Sequence, residues 1–216
     1  FAVYQWRKTR NPHDIRHTPG GSSSGSAAAV GDNMVPLAFG NQTAGSLIRP
    51  ASFCGVHAFK PTHGTANLRG IFEMVPRFDT LGYMARSIDD LAIIYAVVSK
   101  DKLIPRTVEE LDRLPRIGIC QTHYWDEAQP ETVTAVESAA SMLVKYGCDV
   151  GECKLPDSFR NLAKTHTTIL NAGLARSMSS IRQKNENQIS KQLLNILDQG
   201  LSTSAEELVE AFSHAD

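Results

Sequence analysis

The chain has 216 residues, 42% of them hydrophobic, with 23 acidic and 22 basic side chains for a net charge of −1. That is enough apolar material for one large core. The near-neutral balance gives no electrostatic case for nucleic acid or an anionic membrane surface, and no apolar run approaches the ~20 residues of a membrane-spanning helix.

In chain order, residues 1–18 are mixed polar and aromatic. The prolines at 12 and 19 disfavour helix before them, so the stretch reads as an extended surface approach. It has neither an initiator Met nor the charged-then-apolar layout of a signal peptide, and reads as the middle of a protein. His13 and His17 read as solvated loop residues rather than general bases. A helix is expected over 22–34, a short strand over 37–39, a second helix over 45–53 and another strand over 56–59. Residues 64–78 read as irregular. Ser87-Ile88-Asp89-Asp90 is a capping box, followed by a helix over 89–98 that is apolar nearly all round, as a buried helix would be. Residues 100–115 read as a charged surface connection, and 117–120 as a strand. Over 130–146, Val133, Val136, Ala139, Ala140, Leu143 and Val144 recur at helical spacing, and Gly147 stops the helix. A strand begins at Cys148, completing a strand–helix–strand unit of the right-handed crossover kind. Residues 157–216 carry helical patterns only. The fold class these elements imply is α/β, three layers with a mixed sheet carrying 37–39, 56–59 and 117–120.

The cysteines at 54, 120, 148 and 153 form no CxxC pair and have no His at metal-ligand spacing, so no metal site is expected. Buried free thiols are expected for most of them, consistent with a reducing cytoplasm. His123, His166 and His214 share no spacing with a carboxylate or Cys and are assigned no chemistry.

The stretch 19–64 holds two Gly/Ser-rich turns, Gly20-Gly21-Ser22-Ser23-Ser24-Gly25-Ser26 and Thr43-Ala44-Gly45-Ser46. A Gly/Ser run is ordinarily a flexible linker. Here the first runs straight into Ala27-Ala28-Ala29-Val30, a good helix former. The second follows the apolar Val35-Pro36-Leu37-Ala38-Phe39 and precedes Leu47-Ile48 and Phe53-Cys54-Gly55-Val56. Two such turns can bring serine hydroxyls together and surround one with amide donors, a site for nucleophilic acyl transfer.

These residues resemble the amidase signature family, hydrolases that cleave carboxamides with a Ser–Ser–Lys triad. The family's Gly-Gly-Ser-Ser-(Gly/Ser)-Gly-Ser turn is matched by residues 20–26, and its TxGSxxxPxxxCGxxxxKPTxG segment by residues 43–64. Its two serines lie 24 positions apart, the interval between Ser22 and Ser46. A further segment, Ala85-Arg86-Ser87-Ile88-Asp89-Asp90-Leu91-Ala92, extends the likeness to about residue 99.

The resemblance implies that Ser46 is the nucleophile and Ser22 the bridging serine, their hydroxyls within hydrogen-bond reach. It also implies a cis peptide bond at Gly21–Ser22 and an oxyanion hole built from the N–H groups of Thr43, Ala44, Gly45 and Ser46. Two positions depart from the family pattern. Ala44-Gly45 stands where many members have Gly-Gly, acceptable if Ala44 keeps a negative φ, and Asn41-Gln42 stands where Thr-Asp is commoner. The family's triad lysine lies far upstream of the first serine. Lys8 does not match its context, and Lys60 occupies a family position that is not the triad lysine. The lysine is therefore expected outside this chain, upstream of Phe1. The whole chain, residues 1–216, is expected to be part of one amidase-signature domain, with 19–64 as its signature core and portions of the family fold missing at both ends.

The implied function is an amidase-type hydrolase acting on a small carboxamide in the cytoplasm. No cofactor, nucleic acid or membrane partner is expected, and a homodimer is left open. Two alternatives remain at this point: the amidotransferase subunit that releases ammonia from glutamine for tRNA-linked amidation, and a non-catalytic binding or regulatory relative.

Overall fold

A computed structural model describes residues 8–99 and 111–216. The chain divides into two compact units, Phe1–Val108 with Thr168–Glu210, and Glu109–Thr167 with Ala211–Asp216.

The first unit is built on a strand that sequence reading leaves unassigned. β3 (Thr80–Ala85) is buried at all six residues, so it lacks the alternation that marks a half-exposed strand. It lies between β1 (Leu37–Gln42) and β2 (His57–Phe59) in the order β1-β3-β2, antiparallel to both. Alternate β3 side chains face opposite ways. Met84, with Ala38 and Ala58, packs against Ala27, Ala28 and Val30 of α1 (Ser24–Gly31) and Ala51 of α2 (Ile48–Phe53). Tyr83 and Ala85, with Leu37, pack against Leu91, Ile94, Tyr95 and Val98 of α3 (Ile88–Val98). The unit is thus helix, sheet and helix in three layers.

Both expected helices of the signature stretch are shorter than read: each gives its first residues to a turn, and α1 also stops at Gly31, ahead of Asn33 with its positive φ. The Ser87 hydroxyl caps α3 by accepting from the Asp90 N–H at 3.1 Å, as its capping box predicts. The helix is not buried all round, however. One face meets the sheet, while Ile93 and Val97 are exposed. Helices α5 (Leu162–Ser177), α6 (Ser179–Asn185), α7 (Lys191–Ser202) and α8 (Ala205–Ala215) follow, as the helical pattern predicts. Leu174, Ala175 and Leu197 form a further core with Met74 and Leu193.

In the second unit β4 (Arg116–Cys120) pairs in parallel with β5 (Asp149–Cys153), joined through α4 (Pro130–Lys145). Gly147, at φ +97°, ends α4 in a Schellman motif: Cys148 N–H donates to the Leu143 carbonyl at 3.0 Å and Gly147 N–H to that of Val144 at 2.9 Å. The α/β class holds, but among the described residues the strands form two sheets rather than one, because β4 pairs with β5 and not with β1 to β3. The connection read over 100–115 lies outside the described residues as far as residue 110. All four cysteines are free; Cys54 and Cys148 are buried, Cys120 is half-buried and Cys153 is exposed, so burial holds for two of them rather than most. β5 is an exposed strand of a two-stranded sheet, which explains Cys153.

Candidate active site

Both Gly/Ser turns sit at the edge of the first unit's sheet. Gly20 has φ +74°, and a Cβ there would lie 2.8 Å from the Pro50 Cα, so only glycine lets the first turn lie against α2. The Gly21–Ser22 peptide bond is cis. The Ser24 hydroxyl donates to the Gly20 carbonyl at 2.8 Å and closes the turn before α1 begins.

The second turn is anchored through the residue after Ser46. Leu47 is fully buried. It occupies a notch made by Gly40 and Gly82, which face each other in the β1–β3 register. A Cβ on Gly40 would come within 2.7 Å of Leu47 Cδ1, and one on Gly82 would strike the Leu47 side chain and lie 2.7 Å from the Phe59 carbonyl oxygen. Two small residues in neighbouring strands thus set where Ser46 can be. The Ser46 carbonyl accepts from the Ser23 N–H at 3.0 Å, which ties the two turns together.

Gln42 supplies a second anchor. It is buried, and its Oε1 accepts from the N–H groups of Leu47 at 2.9 Å and Ile48 at 3.0 Å. The departure from the commoner acid keeps a side-chain acceptor at this position. Thr43 supplies a third, its hydroxyl donating to Asp79 Oδ1 at 2.7 Å. Asp79 is 1% exposed, and its other oxygen accepts from Met74 N–H at 2.6 Å and Val75 N–H at 3.1 Å. Sequence reading assigns Asp79 no role. The available signal was an acidic residue directly before Thr80-Leu81-Gly82-Tyr83-Met84-Ala85, a segment with no charged side chain, where a carboxylate has to find donors.

Among the described residues, the N–H groups of Ala44, Gly45 and Ser46 have no acceptor. Asn33 is the one described non-glycine residue with positive φ, so Ala44 keeps the negative φ its substitution for glycine requires. Ser22 and Ser46 are both half-buried, and among the described residues their hydroxyls are not hydrogen-bonded to each other. The structure therefore joins the two serine turns through backbone, without a hydrogen bond between the hydroxyls. Such contacts tighten when base and substrate are in place.

The other candidates have structural partners. Lys60 donates to the Pro61 carbonyl at 2.7 Å. His13 is exposed, yet its Nε2 lies 2.9 Å from the Cys54 carbonyl oxygen, so it ties the approach segment to the end of α2. Buried Asn11 holds the same segment by donating to the carbonyls of Thr18 and Phe53. Burial pushes the Cys54 thiol pKa up.

The family model described as Amidase matches residues 4–215. The chain belongs to the amidase family. It is 34% identical over 161 residues to a glutamyl-tRNA(Gln) amidotransferase subunit from Fusobacterium nucleatum subsp. nucleatum, a match covering 69% of this chain and 33% of that protein. Among solved structures, an amidase crystal structure superposes with TM-score 0.86 at 24% identity, covering 95% of this chain and 46% of that one; it shows the fold. The 6-aminohexanoate cyclic dimer hydrolase in complex with its substrate matches with TM-score 0.81 at 25% identity, covering 97% and 48%. The chain thus spans about a third of the length of that curated relative and about half of the solved amidase-family chains. No helix among the described residues is long and apolar enough to cross a membrane.

Proposed function

We propose that this chain carries the nucleophile and oxyanion site of an amidase that hydrolyses a small carboxamide. Ser46 Oγ attacks the carbonyl carbon while its proton passes to Ser22. The carbonyl oxygen becomes an oxyanion held by the N–H groups of Thr43, Ala44, Gly45 and Ser46. The C–N bond then breaks, the amine leaves with the relayed proton, and water hydrolyses the acyl-Ser46 ester to release the acid. A lysine from outside this chain is the base that Ser22 serves. The observation that carries the reading is the turn at Ser46: three amides with no acceptor among the described residues, beside a serine whose carbonyl is bonded to the turn holding Ser22.

The same reading takes residues 1–216 as a portion of one amidase-signature domain with 19–64 as its core, supported by the family match over 4–215. Four free thiols support a cytoplasmic location. The likeness to an amidotransferase component favours a second reading, in which the amide is glutamine and the ammonia is passed on to a charged tRNA.

The test is amide hydrolysis by the 216-residue protein beside a longer chain that includes an upstream lysine in the family's context. The longer chain should turn over simple carboxamides, and the short one should be nearly inactive for want of the base. Full turnover by the short chain, unaffected by Ser22→Ala, would overturn the relay. Glutamine turnover that rises only with a tRNA-binding partner would favour the second reading.

A further inference from the structure

We propose that Asp79 is a positioning residue for the oxyanion turn, acting through Thr43. This rests on the reading of Ser46 and its neighbouring amides as the acyl-transfer site.

A carboxylate that served only its own loop would need one oxygen, and Asp79 Oδ2 does this by accepting from Met74 and Val75. Oδ1 instead reaches 36 residues back along the chain to the Thr43 hydroxyl at 2.7 Å. Thr43 is the first residue of the turn. A charge-assisted hydrogen bond to a buried carboxylate is short and directional. It fixes the Thr43 side chain and with it the backbone leading into Ala44, Gly45 and Ser46. An oxyanion hole works because its donors are aimed before charge develops. Those amides have no acceptor among the described residues to aim them, so the aiming comes from the turn's ends: Gln42 and Leu47 on one side, Thr43 and Asp79 on the other.

The Asp79 loop is itself held from outside. Ser177 Oγ of α5 donates to the Met74 carbonyl at 3.0 Å, and a Cβ on Gly173 would lie 2.9 Å from Val75 Cγ2, so α5 lies directly against that loop. The support thus runs from α5 to residues 74–75, to Asp79, to Thr43 and to the turn. It explains why a buried acid sits beside an apolar strand with all its bonds directed at backbone and one distant hydroxyl.

Two measurements test this, one independent of activity. In the 216-residue protein, amide order parameters at Ala44, Gly45 and Ser46 should fall from a rigid value of about 0.85 to below about 0.7 in Thr43→Val, and stay high in Thr43→Ser. Those of residues 81–85 should not move. In an active amidase containing this chain, Thr43→Val and Asp79→Ala should each lower kcat by roughly 10- to 100-fold with KM within about threefold. The double variant should be no worse than Asp79→Ala alone, and Thr43→Ser should recover most of the rate. Unchanged order parameters in Thr43→Val would overturn the tether whatever the activity, and additive rate losses in a folded double variant would do the same. Wild-type turnover in Ser46→Ala would sink the acyl-transfer reading instead, while the order parameters still decide the tether. Since Asp79→Ala also strips the Met74 and Val75 amides of their acceptor and so perturbs folding, Thr43→Val is the deciding variant.

Discussion

The turn at 20–26 is held mainly by its own backbone, and the turn at 42–48 mainly by side chains. In the first, a left-handed Gly20, a cis Gly21–Ser22 bond and the Ser24 hydroxyl on the Gly20 carbonyl shape the chain locally. In the second, Gln42, Thr43 with Asp79, and Leu47 in its glycine notch grip the ends from three directions. The difference has a functional consequence. Because side chains supply the ties at 42–48, the amides of Ala44, Gly45 and Ser46 bond to no acceptor among the described residues. A turn held by its own N–H groups could not also offer them to a substrate.

The largest effect tests the role of the second turn. In an active amidase carrying this chain, Ser46→Ala should lower amide turnover by at least about 10⁴-fold, and Ser22→Ala should also be severe. Equal activity in wild type and Ser46→Ala would leave the contrast structural only.

Next come the side-chain ties. Leu47→Ala empties a fully buried notch and should destabilise the protein by about 2–5 kcal/mol in denaturant unfolding. Gln42→Ala leaves two N–H groups without an acceptor and should cost about 1–3 kcal/mol for each one that stays buried. Gln42→Glu, which keeps the acceptor, should cost much less. If both variants unfold alike, the side-chain account of this turn is wrong.

The backbone-held turn should instead be sensitive to one methyl group. Gly20→Ala places a Cβ at positive φ against the Pro50 Cα and should cost about 1–3 kcal/mol, while Gly25→Ala, with open space around it, should cost little. Equal melting temperatures for the two would remove the case for close approach.

The smallest effect concerns Cys54, whose thiol donates to the Pro19 carbonyl at 3.5 Å beneath the first turn. Burial raises its folded pKa above the unfolded value. The neutral thiol's contribution to stability is therefore fully present below the unfolded pKa of about 8.5, and declines as pH rises from there towards the folded value. Alkylation should follow burial, with exposed Cys153 modified first and Cys54 last, read by mass spectrometry of partly labelled protein. Early labelling of Cys54 in folded protein would show the first turn to be open.

The sequence by itself determined the family, both serine turns, the capping box at Ser87 and the end of α4 at Gly147. Each of these is a local rule: a glycine needed for a backbone conformation, a hydroxyl three residues from the amide it caps, a fixed interval between two motifs. It also located the strands at 37–39 and 56–59, because short apolar runs between turn residues leave few other readings. Tertiary structure alone decided what lies between and around them. β3 is not legible in the sequence because burial on both faces erases alternation, and its role as central strand depends on partners about 25 and 40 positions upstream. The division of the strands into two sheets depends on which edges meet, something strand sequences do not encode singly. Asp79 became part of the site only through a bond to Thr43, and Gly40 and Gly82 only through Leu47. The Asp79–Thr43 and Gly82–Leu47 contacts join residues distant in sequence, whose chemistry is unremarked until folding sets them a few ångströms apart.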